Sequence, residues 1–180
     1  MSISEQGLAL IKHFETLHDG DLSTIGLQPK MCPAGVWTVG YGRALLGVDG
    51  KFLKGKEGKA EAYRQYPNLS ENQAEQMLRE DTAVYGKRVL KLCQEHSIAL
   101  KQHEFDAIVS LAYNCGIGAL YDYERKREMA VLRALKKGEG VPEAMALWIK
   151  SGGKVMPGLV RRRKSEGHLF RTGKLNFFQK

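Results

Sequence analysis

A glutamate at position 15, a cysteine at 32 and a threonine at 38 are the side chains whose types and surroundings suit acid–base chemistry. Glu15 ends the stretch "LALIKHFE", in which Leu8, Ile11 and Glu15 recur at helical spacing, so its carboxyl lies on an apolar stripe widened by Leu10, Phe14 and Leu17. Partial loss of water there favours the protonated form, which a general acid requires. Thr38 stands in "CPAGVWTVGYG", where Trp37, Val39 and Tyr41 alternate with Val36, Thr38 and Gly40, leaving the hydroxyl on the small, open face of a strand. Cys32 opens that segment and reads in three ways: a thiolate helped by Lys30 and loop amides, an inert small apolar residue, or a disulfide or regulatory thiol. Asp19 and Asp21 in "HDGD" are reserve carboxylates in a loop whose geometry spacing does not constrain. On composition alone, Glu15 reads equally as an exposed helix-end carboxylate and Thr38 as an ordinary β-branched strand residue.

The elements that must position these groups follow from periodicity and punctuation. Residues 2 to 17 form an amphipathic helix in which Ser2 and Glu5 have capping-box spacing. Gly20, Gly26, Pro29, Pro33 and Gly35 break the next stretch into a long loop. Residues 32 to 54 make a small antiparallel sheet, with Asp49 and Gly50 as a type I′ hairpin turn. The charged segment 54 to 68 reads as an exposed excursion, and Ser70 with Gln73 caps a long helix running to about Cys93. Beyond it every periodic segment is helical. Phe105, Ile108, Val109 and Ala112 mark one helix; residues 125 to 137 another with Met129, Leu132 and Leu135 inward; Pro142 a third carrying Met145, Trp148 and Ile149; and Pro157 a last one stopped at Gly173. The fold class is α+β: a small β lobe over about 18–68, a linking helix over 70–93, and a helical lobe over 94–180 joined by the N-terminal helix, all in one domain. Glu15, the 32–42 hairpin and the "AYNCG" helix end are expected around a cleft between lobes.

Composition narrows the class. The 180 residues are 43% hydrophobic and 27% charged, those of a globular chain, and the start "MSISEQGLALIKHFETL" contains neither a membrane span nor a signal-peptide core. Cytoplasmic synthesis is expected. Three cysteines without paired spacing, Cys32, Cys93 and Cys115, argue for reduced thiols. The five histidines have no ligand spacing, so neither metal nor cofactor is expected. A net charge of +8, concentrated in "RRRK" at 161–164, favours polyanionic partners such as wall polymer or nucleic acid, although such a run is most simply the solvated face of a helix. Nucleotide-binding, metalloprotease and α/β-hydrolase motifs are absent.

The segments "IKHFE", "CPAGVWTVGYG", "LSENQAEQMLREDTA", "FDAIVSLAYNCGIGAL" and "SGGKVMPGLVRRRKSEGHLF" together resemble the phage-type lysozymes of glycoside hydrolase family 24, in the family's order from about residue 4 to 171. The resemblance implies a lysozyme-like fold and an N-acetylmuramidase that hydrolyses the β-1,4 bond between N-acetylmuramic acid and N-acetylglucosamine in peptidoglycan. It implies Glu15 as the catalytic acid, Thr38 as the sheet threonine, and Cys32 where the family carries an aspartate. Gly40, Gly42, Tyr113 and Asn114 match positions that line the substrate site. Two departures stand out: the spacer from Glu15 to Cys32 is longer than usual, as if "GDLSTIGL" were inserted, and Arg43 follows "GYG" where the family often has histidine. The resemblance further implies a monomer released to the wall from the host bacterial cytoplasm by a holin-like permeabilising partner, with no nucleic-acid partner and no stable membrane insertion. Two rival functions remain open at this stage: lytic transglycosylation by Glu15 alone, and a catalytically dead module holding polyanions or cell wall.

Overall fold

The computed structural model describes residues 1–178. The chain packs as two compact units, Glu15–Asp81 and Met1–Phe14 with Thr82–Lys180. Among the described residues helices dominate and are accompanied by three small antiparallel sheets, the α+β composition expected. Among the described residues no helix is long and apolar enough to cross a membrane.

In the unit Glu15–Asp81, strands β1 (Lys30–Met31), β2 (Trp37–Val39) and β3 (Arg43–Ala44) form a sheet in that order, with Lys30 opposite Thr38 and Thr38 opposite Ala44. The first hairpin closes where Cys32 N–H donates to Val36 O and Gly35 N–H to Cys32 O, each at 2.8 Å. Isolated bridges Leu46 to Phe52 and Val36 to Lys54 extend the ribbon. Its tip differs from expectation: only Gly50 has positive φ (+73°), and its N–H bonds Gly47 O at 3.0 Å. That is a three-residue loop with glycine at the left-handed position, not a two-residue type I′ turn.

The expected excursion over 54–68 also contains a helix, α2 (Lys59–Gln65). Its anchor is small: Ala62 is fully buried, and Tyr63 meets Trp37 edge to face at 5.9 Å between ring centres. A count of aliphatics overlooks a face made of alanine and tyrosine. Trp37, Val39, Leu45, Ala62, Leu69, Ala74 and Met77 form the core of this unit. Ser70 and Gln73 make the expected reciprocal cap on α3 (Glu71–Glu95), with Ser70 N–H to Gln73 Oε1 at 2.9 Å and Gln73 N–H to Ser70 Oγ at 3.2 Å. Arg43 ties β3 to that helix, its Nε donating to Asp81 Oδ2 at 2.9 Å and Nη2 to Met77 O at 2.7 Å.

The other unit is built on α4 (Gln102–Cys115), buried from Phe105 through Ala112. Its two buried polar residues are both partnered: Asp106 accepts from the N–H of Ser4 and Ser110 donates to Glu166 at 2.7 Å. Ser4 also caps helix α1 (Glu5–Glu15), where Ser2 was expected, because Ser4 Oγ lies 3.3 Å from the Gly7 amide. After a 3₁₀ turn (Ile117–Ala119) come β4 (Tyr121–Asp122), β5 (Arg127–Glu128), α5 (Ala130–Lys137), α6 (Val141–Met145), β6 (Lys150–Ser151), β7 (Lys154–Val155) and α7 (Pro157–Thr172). The two hairpins interrupt what the sequence reads as helix. β5 takes the start of the segment expected to be helical from 125, and α6 stops at Met145 short of Trp148 and Ile149. The "SGGK" turn carried its own signal, since Gly152 and Gly153 both have positive φ as a type I′ turn requires.

The basic run is the largest correction. Arg162 and Arg163 are each only 2% exposed, not a solvated face, and they converge on the fully buried Glu166. Glu166 Oε1 accepts from Arg162 Nε at 3.1 Å and Arg163 Nη2 at 3.0 Å; Arg163 Nε approaches Oε2 to 2.7 Å as an ion contact without hydrogen-bond alignment. The spacings of four and three residues to a glutamate were the available signal. Two buried guanidiniums without their counter-charge are strongly unfavourable, so Glu166→Gln should lower unfolding free energy by about 3 kcal/mol or more in denaturant titrations. A loss under about 1 kcal/mol would contradict this assignment.

Candidate active site

The helix α1 ends at Glu15 because Thr16 takes a left-handed conformation (φ +51°), which a continuing helix does not allow. The chain then turns onto the sheet, where His18 N–H donates to Gly40 O at 2.8 Å. Gly40 is buried, and a methyl group in place of its hydrogen would stand 3.2 Å from the Ala74 side chain. Gly42 has φ +93°, and a methyl there would sit 3.4 Å from Glu15 Oε2. Gly40 therefore serves close approach to α3 and Gly42 a left-handed turn, and the Glu15 carboxylate lies against the β2–β3 turn.

Thr38, at the centre of β2, is 5% exposed, so the expected open face is covered. Its hydroxyl is taken up by Lys30 and His18. Thr38 Oγ1 donates to Lys30 O across the β1–β2 pair at 2.9 Å, and His18 Nδ1 stands 2.9 Å from the same oxygen. Burial pulls the His18 imidazole below its ordinary pKa, and Lys30 acts in the same sense; the carboxylate and main-chain carbonyl of Glu15 oppose them.

Cys32 is half-buried, and like buried Cys93 and half-buried Cys115 it is outside any disulfide. It faces Val36 across the hairpin, two residues from Lys30, and the alternation of a strand places it on the Thr38 face. Asp19 and Asp21 are more constrained than expected. Asp19 Oδ1 accepts from the amides of Asp21 (3.1 Å) and Gln28 (3.3 Å), and Asp21 accepts from Ser23 and Thr24, bonds that hold its carboxyl below the usual range. Both carboxylates shape the loop.

Glu15, Thr38, Gly40, Gly42 and the Cys32 face thus belong to one unit, joined there by His18. Tyr113 and Asn114 belong to the other, in the last turn of α4. Tyr113 meets Tyr85 edge to face at 5.6 Å, and Asn114 Oδ1 accepts from Arg163 Nη2 at 3.0 Å. Arg163 Nη1 also donates to Cys115 Sγ at 3.0 Å; burial raises that thiol's pKa while Arg163 opposes the rise. His18 is the residue that sequence reasoning set aside. Its spacing of three from Glu15 is visible, but nothing local connects position 18 to position 38.

A family model described as phage lysozyme matches residues 22–166. The chain belongs to the phage lysozyme family. This family member is 34% identical over 175 residues to the endolysin of Bacillus phage B103, covering 96% of this chain and 55% of that protein. The chain thus spans a little over half the length of that relative. Among solved structures, an endolysin from Escherichia coli O157:H7 phage FAHEc1 superposes with TM-score 0.69 at 28% identity, covering 98% of this chain and 97% of that one. The muramidase domain of SpmX from Asticaccaulis excentricus gives 0.66 at 30% identity, covering 95% of this chain and 98% of that one. The α+β architecture of this family member is accordingly lysozyme-like.

The His18 environment has a pH consequence. A ring whose folded pKa is lowered binds fewer protons than in the unfolded chain, so its contribution to stability falls as pH drops from about 7.5 through the unfolded value near 6.5 toward the folded one. Thermal unfolding of the wild type and His18→Asn over that range should show the steeper acid decline in the wild type. Parallel curves would rule this out.

Proposed function

We propose that this chain is an endolysin-type N-acetylmuramidase, one lysozyme-like domain that hydrolyses the β-1,4 bond between N-acetylmuramic acid and N-acetylglucosamine in peptidoglycan. The carrying observation is the Glu15 carboxylate lying against the Gly42 turn in the unit that holds Thr38 and the Cys32 face. Relatives named as endolysins, and a solved neighbour titled a muramidase domain, support the same reading.

Glycoside hydrolysis needs a proton donor on the leaving oxygen and a second group that activates water or attacks the anomeric carbon. Glu15 protonates the glycosidic oxygen as its bond to carbon breaks. Water, held by Thr38, adds to the anomeric carbon and gives its proton to the Cys32 thiolate, which stands in for the usual carboxylate and becomes the thiol. Gly40 and Gly42 let the glycan approach the main chain, and Tyr113 and Asn114 contribute to substrate binding. The +8 charge suits an anionic wall polymer as substrate. In this reading the protein is a monomer made in the host bacterial cytoplasm, and it reaches the wall through a holin-like permeabilising partner.

Purified peptidoglycan digested by the protein should yield reducing muramic acid ends by mass spectrometry; anhydro-muramyl ends would overturn hydrolysis in favour of transglycosylation. Glu15→Gln should slow the reaction by about 100-fold or more. Cys32→Asp should keep or raise the rate while Cys32→Ala lowers it, and equal rates in those two variants would remove Cys32 from the mechanism.

A further inference from the structure

We propose that His18 is a positioning residue for this reaction: its Nδ1–H donates to Thr38 Oγ1 and fixes which way the threonine hydroxyl is used. The inference rests on the reading above for the importance of Thr38, but its geometric basis is independent.

A hydroxyl has one proton to donate and two lone pairs with which to accept. Lys30 O is a carbonyl and only accepts, so a bond at 2.9 Å between it and Thr38 Oγ1 consumes the threonine proton. His18 Nδ1, also 2.9 Å from Oγ1, must then be the donor, since the opposite assignment leaves two oxygens facing each other with no proton between them. Only one proton arrangement satisfies both contacts. It specifies the Nδ1–H tautomer whenever the ring is neutral and leaves Nε2 as the bare nitrogen.

Two consequences follow for the chemistry. Thr38 has a single lone pair left, so it holds a water or the Cys32 thiol by accepting from it, never by donating. A water bound in this way spends a proton on the threonine and turns its own lone pair outward for attack. The ring also makes this bond without a formal charge, because burial and Lys30 disfavour the imidazolium. Glu15 and Lys30 are the charged groups acting on the ring, from the end of α1 and from β1.

Anchoring comes from the main chain on both sides. His18 N–H is fixed to Gly40 O, and the residue after it, Asp19, is held by the amides of Asp21 and Gln28. The ring is therefore carried by a bridged segment rather than by a free loop.

Asparagine and glutamine separate the two nitrogens. The amide nitrogen of Asn falls near the Nδ1 position and that of Gln near Nε2, so His18→Asn preserves a donor to Thr38 and His18→Gln does not. With purified peptidoglycan as substrate, His18→Gln should lower kcat by about tenfold or more with KM changed less than about twofold, while His18→Asn stays within about threefold of wild type. Equal rates in the two variants, or full activity in His18→Gln, would overturn the proposal. Long-range ¹H–¹⁵N spectra of wild-type protein decide the tautomer without any variant: a protonated Nδ1 whose shift moves in Thr38→Val is expected, and a protonated Nε2 with a bare Nδ1 refutes it even if a variant fails to fold. Glu15→Gln separates the two levels. Unimpaired activity there sinks the muramidase site while the tautomer stands; loss there with no effect in His18→Gln sinks the positioning role alone.

Discussion

A hydroxyl on a strand with no exposed residue has to find its partners inside the protein, and that requirement organises the smaller unit. Trp37, Thr38 and Val39 are all buried, so β2 has no wet side to which Thr38 can turn. An unpaired hydroxyl in such a place costs about 1–3 kcal/mol, more than most single contacts return. The carbonyl of Lys30 meets half of the need through the pairing of β1 with β2, and the imidazole of His18 meets the other half. Sheet register and loop path are thus coupled through one oxygen atom. The end of α1 is drawn into the same arrangement, because the chain has only two residues, Thr16 and Leu17, between Glu15 and His18.

The other unit solves a similar problem with full charges. Glu166 sits among Arg162, Arg163 and Ser110, and the side chains beyond them, Asn114 and Cys115, accept from Arg163. Such a cluster carries little net stabilisation relative to apolar packing, but it is intolerant of any missing member. It holds the last turn of α4 to α7 through specific bonds, and so fixes where Asn114 and its neighbour Tyr113 stand. In both units a buried polar group dictates local geometry more sharply than the surrounding apolar packing does.

Much of this was legible in the sequence, for reasons that separate cleanly. Periodicity and caps found α3, α4 and α7, because a helix is written in contiguous residues and Ser70, Pro157 and Gly173 mark their ends. The strand around Thr38 and the helical end at Glu15 were visible for the same reason. What escaped depends on contacts between distant positions. Arg162 and Arg163 also meet partners on α4, Ser110 and Asn114, some fifty positions away, and a run of four basic residues does not itself show them. His18 looked like one histidine among five, since its partner lies across the sheet. The helix α2 was missed because its buried face is a lone alanine flanked by tyrosines, and the short hairpins because two-residue strands have no period to detect.

The loop that carries His18 is stapled at both ends by main-chain hydrogen bonds, His18 to Gly40 and Leu27 to Leu69, while Leu22 and Ile25 between them are each 89% exposed. Closing a loop whose ends are already fixed costs only logarithmically more as it lengthens, about 0.6 kcal/mol for each doubling. The tip can therefore lengthen or shorten at small entropic cost while the stapled ends keep Glu15 and Thr38 in place. The eight residues 19–26 between those staples thus form a margin whose surface can change without moving the strand beneath it.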